Sequence, residues 1–159
     1  MFANALTERL SDFVREIGID VRVADLPDKT FLPGLDIRAG AILVDEQRLA
    51  YPGDMLHEAG HLAVAAPDER HAPALAPTPG DEMATLAWSY AALTHLALAP
   101  EVVFHPQGYK GGSQALIDAF TGVGSPGVPL LQWYGMTLEP RQAAEHGIAP
   151  FPNMLRWLR

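Results

Sequence analysis

Apolar residues recur at helical spacing through Leu6, Leu10, Phe13, Val14 and Ile17, with Glu8, Arg9, Asp12 and Arg15 on the intervening face. Such a stripe predicts an opening amphipathic helix, stopped by Gly18. From Ile19 to Leu26 apolar and polar residues alternate instead, the period of a half-buried strand, and Pro27 with Asp28 ends it. Two shorter β-prone runs, Leu35 to Ile37 and Ala41 to Val44, flank Ala39 and Gly40, which predicts a hairpin. Together the three runs predict a small antiparallel sheet.

After Pro52 the period returns to helical, with Asp54 near the start and Leu56, Leu62, Ala63 and Val64 along one side until Pro67. Residues 67–79 hold four prolines and read as a loop. Thr78, Pro79 and Asp81 then supply an N-cap, a first-turn proline and an acidic third position. They start the longest predicted helix, through Met83, Leu86, Tyr90, Leu93 and Ala97 to Pro100. Beyond it, GYKGG at 108–112 and GVGSPGVP at 122–129 flank a short helix of Gln114 to Phe120. Leu130 to Tyr134 and Arg141 to His146 complete the helices, the last ended by Gly147. No repeat, low-complexity tract or linker interrupts the chain, so residues 1–159 read as one α+β domain.

Composition agrees and narrows the function classes. Hydrophobic residues make up 48% of the 159 and charged ones 19%, which is globular usage and not that of a disordered chain. A net charge of −8 repels a phosphate backbone, so nucleic acid is not an expected partner. Without cysteine there is no disulfide framework and no thiolate metal site. Glu8, Asp12 and Glu16 interrupt the N-terminal apolar pattern, which is not that of a signal peptide. The longest apolar stretch, Leu86 to Pro100, is too short to cross a bilayer. A soluble, cytoplasmic protein is expected, with no membrane partner.

The chemistry concentrates at HEAGH, residues 57–61. On a helix, positions i and i+4 project from one face, so His57 and His61 can present two imidazole nitrogens to one ion. Glu58 lies about 100° around the helix from His57, placed to reach a water on that ion without ligating it. That is where a general base belongs: the ion acidifies the water, and Glu58 takes its proton. With six His and nine Glu in the chain, HExxH arises by chance in roughly 1% of sequences of this composition. Gly60, inside the same helix where glycine costs stability, suggests that something approaches its backbone closely.

Two histidines do not complete a tetrahedral site, so a third ligand is required. A metzincin pattern needs glycine at 64 and histidine at 67, and Val64 and Pro67 exclude it. A glutamate on a second helix about twenty residues on is the other arrangement, and Glu82 stands twenty-one residues after His61. Asp81 and His71 are the alternative ligands.

HEAGH at 57–61 followed by DEMATLAW at 81–88 resembles the gluzincin arrangement. With Ala84 and Ala87 following Glu82 at offsets two and five, and the ILVD strand before the motif, it resembles the ImmA/IrrE family of small bacterial metallopeptidases. The likeness spans roughly residues 41–98 and is specific at His57, Glu58, His61 and Glu82. It implies a minimal zincin-like domain, with a small antiparallel sheet packed on an active-site helix and a second long helix. It also implies Zn²⁺ as cofactor and a peptide or protein as substrate.

Acyl hydrolysis also needs a donor for the developing oxyanion. His105 and Tyr109 in FHPQGYKGG are the preferred candidates, because a glycine-rich loop can hold them over a cleft, with Tyr134 and His146 as others. His95 reads as a core histidine within an apolar helix, and Trp88, Trp133 and Trp157 as core filling. The leading expectation is thus a zinc metallopeptidase with Glu58 as base. A non-catalytic interaction module on the same fold, and a metal-dependent hydrolase of a non-peptide amide or ester, are the competing ones.

Overall fold

The computed structural model describes residues 1–122 and 125–159. Positions 123 and 124, in the stretch read as a turn at 122–129, lie outside them. The architecture is α+β, with six α-helices and one three-stranded sheet among the described residues. Helix α1 (Ala5–Glu16) is started by Asn4, whose side chain accepts from the amides of Leu6 and Thr7, and its buried face carries Leu10, Phe13 and Val14. Strands β1 (Asp20–Val23), β2 (Leu35–Arg38) and β3 (Ala41–Val44) follow.

The sheet is mixed, which corrects the antiparallel expectation. Its order is β1-β3-β2, with β2 antiparallel to β3 across the hairpin and β1 parallel to β3. The physical reason lies in β3, whose residues Ala41, Ile42 and Val44 are buried and whose backbone is bonded on both edges. Residues 24–34 carry the chain past that central place to the far edge, and the hairpin returns β3 into the gap alongside β1. Strand β1 also ends early, at Val23. Ala24 still bonds to Val44, but the Leu26 amide donates at 3.0 Å to the Asp45 carboxylate in place of a strand partner.

Helices α2 (Asp54–Val64) and α3 (Pro79–His95) lie against each other and hold most of the core. Met55, Leu56, Ala59, Leu62 and Ala63 face Ala84, Ala87, Trp88 and Ala91, all of them fully buried. The helices come closest at Gly60, where a Cβ would stand 2.9 Å from Thr85 Cγ2 and 3.3 Å from the Trp88 ring. Of the remaining helices, α4 (Ser113–Thr121), α5 (Val128–Trp133) and α6 (Pro140–His146), α5 packs on α3 and α4 meets it where Phe120 stacks on Tyr90. The Trp88 indole N–H donates to the Trp157 carbonyl at 2.9 Å, which ties the last residues to α3.

Two residues read as core lie elsewhere. His95 is exposed at the end of α3, its ring beside those of Phe13 and Trp157, which also touch each other. Trp133 is 84% exposed on α5. Both sit at helix ends, where an apolar periodicity no longer says which face is covered. Among the described residues no helix is long and apolar enough to cross a membrane.

Candidate metal centre

His57, Glu58 and His61 stand on α2, and the helix is held at both ends. At its start, a Cβ on Gly53 would collide with the Val102 carbonyl, so the 100–104 segment presses directly on the first turn. At its end, Arg70 donates to the Leu62 carbonyl at 2.8 Å and the Arg159 amide to the Ala63 carbonyl at 2.9 Å. Carbonyls that a helix leaves orphaned are thereby satisfied. Helix α3 starts with a capping box: Asp81 donates its amide to Thr78 Oγ1 and accepts from the Thr78 amide at 2.8 Å. This commits the Asp81 carboxylate to the helix start. Glu82, the next residue, turns toward α2.

The three expected ligands come together. His57 Nε2 and His61 Nε2 are 3.1 Å apart, Glu82 Oε1 is 3.3 Å from His61 Nε2, and Glu82 Oε2 is 3.8 Å from His57 Nε2. Their donor atoms all lie within 4.8 Å of one another, close enough to hold a metal ion, and among the described residues no other such group occurs. Tetrahedral bonds of about 2.0–2.1 Å leave donors about 3.3 Å apart, so the separations suit a small divalent ion. His71 is elsewhere, exposed and packed over Gly40 in the hairpin turn.

Behind each imidazole stands a hydroxyl. Tyr109 Oη is 3.4 Å from His57 Nδ1, and Thr85 Oγ1 is 3.4 Å from His61 Nδ1. A hydroxyl that accepts from Nδ1–H keeps the proton on that nitrogen and leaves the Nε2 lone pair free, the tautomer a ligand needs. Burial and the neighbouring His61 push the His57 pKa down to about 3, and burial lowers that of His61 against the opposing charges of Glu82 and Asp81. His57 is therefore a neutral ring at pH 7, as ligation requires. Glu58 moves the other way: burial first, then the charges of Asp54, Glu82 and Asp36, raise its pKa to about 7. A carboxyl with that pKa exchanges protons readily at neutral pH.

The two oxyanion candidates occupy different places. Tyr109 backs His57, its hydroxyl proton held well above the usual range by burial and by the charges of Asp54, Glu82 and Glu58. His105 is buried away from the trio, its Nε2 2.8 Å from Asp54 Oδ1 and its ring stacked on Tyr51 at 3.9 Å. Tyr134 lies beneath the Arg159 guanidinium, and His146 bonds to the Gln142 carbonyl within α6. Thr85 and Asp54 are the contributors that sequence reasoning missed. Thr85 stands three residues after Glu82, one helical turn on, which is the signal that could have found it. Comparison of the chain with known protein families, characterised proteins and solved structures returned no match.

Proposed function

We propose that His57, His61 and Glu82 bind Zn²⁺ and that the chain is a zinc-dependent metallopeptidase of zincin-like design, with Glu58 as its general base. The observation that carries this is the convergence of two imidazole nitrogens and one carboxylate at 3.1–3.8 Å with Glu58 adjacent on the same helix. Zinc bound there would supply Lewis acidity, polarising a carbonyl and lowering the pKa of a water molecule toward neutrality. Glu58 accepts the proton of the attacking water and returns it to the departing amine, a task suited to a pKa of about 7. A site serving structure alone has no use for such a base.

Two measurements test the proposal. Inductively coupled plasma mass spectrometry is expected to find one zinc per chain, and no stoichiometric transition metal before or after zinc addition would overturn it. On a broad peptide library, Glu58→Gln should keep the zinc and lose cleavage by roughly 10²–10⁴-fold relative to wild type. Equal, null activity of both proteins favours the non-catalytic module instead. Turnover of simple esters or amides with no peptide cleaved favours the non-peptide hydrolase.

A further inference from the structure

We propose that Asp54 and His105 form a positioning pair that holds Tyr109 behind His57 and so sets how tightly the chain grips its metal. The inference rests on the metal-site reading above and concerns residues outside the ligand set.

Asp54 stands three residues before His57 on α2, so both project near one another along that helix. Asp54 is buried, and the likewise buried His105 meets its carboxylate at 2.8 Å. The imidazole is clamped on its other sides as well. Tyr51 stacks on one face, and Gly108 approaches so closely that a Cβ there would lie 2.9 Å from His105 Cε1. The Gly108 amide donates to the His105 carbonyl at 3.0 Å and Ser113 Oγ donates to it at 2.6 Å, closing the chain over the ring.

The segment leaving this clasp is strained. Tyr109 and Lys110 have φ of 55° and 52°, left-handed values that side chains with a Cβ adopt only when their surroundings impose them. What imposes them is the anchoring on both sides, His105 below and the Gly112 amide donating to the Tyr109 carbonyl at 2.9 Å. The result is that the Tyr109 ring meets His57 edge-on at 5.9 Å with its hydroxyl 3.4 Å from Nδ1. One helix therefore carries both the ligand and, through Asp54, the anchor of the group behind that ligand. Removing the anchor lets residues 105–112 relax, and His57 loses the partner that fixes its ring and tautomer.

The probe is Zn²⁺, its dissociation constant measured on the full chain against a competing chelator, with urea unfolding run alongside. His105→Leu is expected to weaken Zn²⁺ binding about tenfold, and Tyr109→Phe by a similar factor. The double variant should lose no more than either single one, because both break the same connection. His105→Gln, which keeps an N–H for Asp54, should recover most of the affinity. Unchanged affinity in His105→Leu overturns the inference, as do single losses that multiply in the double variant, the result expected of a merely structural histidine. Should His105→Leu fail to fold, Asp54→Asn enters the same cycle with Tyr109→Phe under the same criteria. Zn²⁺ titration of the wild type comes first: no binding there overturns the metal site itself and is thus told apart from a failure of the positioning pair.

Discussion

His57 and His61 share one carboxylate, Glu82, whereas His105 has Asp54 to itself. The two groupings start from the same helix and the same residue types, and they are built differently. In the first, two nitrogens and a carboxylate point at a common centre with hydroxyls behind the rings, so lone pairs outnumber protons. In the second, one imidazole meets one carboxylate and is covered by Tyr51. A surplus of inward acceptors is what a cation neutralises, whereas Asp54 meets His105 at Nε2 alone and the buried Nδ1 is left without a partner. The side-chain exposures agree: Glu82 is 47% exposed and reachable from solvent, and Asp54 is 6% exposed.

The largest expected effect separates the two groupings directly. His61→Ala removes a proposed ligand and is expected to weaken Zn²⁺ by more than the hundredfold or so that outer partners command, with little change in the stability of the metal-free protein. Asp54→Ala leaves the buried His105 N–H without an acceptor, at a cost of about 1–3 kcal/mol in the stability of the metal-free chain. Chelator competition and urea unfolding, run on both variants, check this. Equal losses of stability in the two would erase the distinction.

The grouping of His57, His61 and Glu82 was legible in the sequence because its signals are local. The i, i+4 spacing of His57 and His61 needs only that the segment be helical, and Thr78, Pro79 and Asp81 marked where the second helix starts, which puts Glu82 in its first turn. The long-range partners were not legible. That Thr85 stands behind His61 depends on where α2 and α3 come together, and that point is decided at Gly60 by contacts with Thr85 and Trp88. That His105 turns to Asp54 depends on residues 100–112 folding back over the start of α2, which no periodicity encodes. The parallel pairing of β1 was hidden for a similar reason. An alternating strand reads the same in either direction, and the crossover at 24–34 carries no signal of which edge it seeks.

Glu58 gives the next effect, visible only in the metal-free protein. Its native pKa of about 7 lies above the usual 4.5, so the folded state holds the proton more tightly than the unfolded one. The contribution to stability is fully present below 4.5 and is lost as pH rises through about 7. At about 1.4 kcal/mol per pH unit, the gap between 4.5 and about 7 is worth at most about 3.5 kcal/mol. His57, held neutral with a pKa of about 3, acts in the opposite direction, its contribution being lost as pH falls below 6.5. That part is common to wild type and Glu58→Gln and cancels between them. The stability of wild type relative to Glu58→Gln should therefore decline between pH 4.5 and 7 and be level above. A difference that does not change with pH would mean that Glu58 is solvated, not pressed against Asp54, Glu82 and Asp36.

The smallest effect tests whether the hydroxyl behind His61 matters as the one behind His57 does. Thr85→Val keeps the branched shape at a fully buried position, including the methyl that packs near Gly60, and removes only Oγ1. The contact at 3.4 Å is long for a hydrogen bond, which places its loss near the lower end of what outer partners contribute, about tenfold in Zn²⁺ affinity or less. Unlike Tyr109, Thr85 sits on a regular helix that Asp54 and His105 do not anchor. The Thr85→Val loss should therefore multiply with that of His105→Leu, since each variant releases a different imidazole. A double variant that loses no more than one of the singles would instead mean that the two rings move as one body. The open grouping would then respond to the closed one as a whole, not through His57 alone.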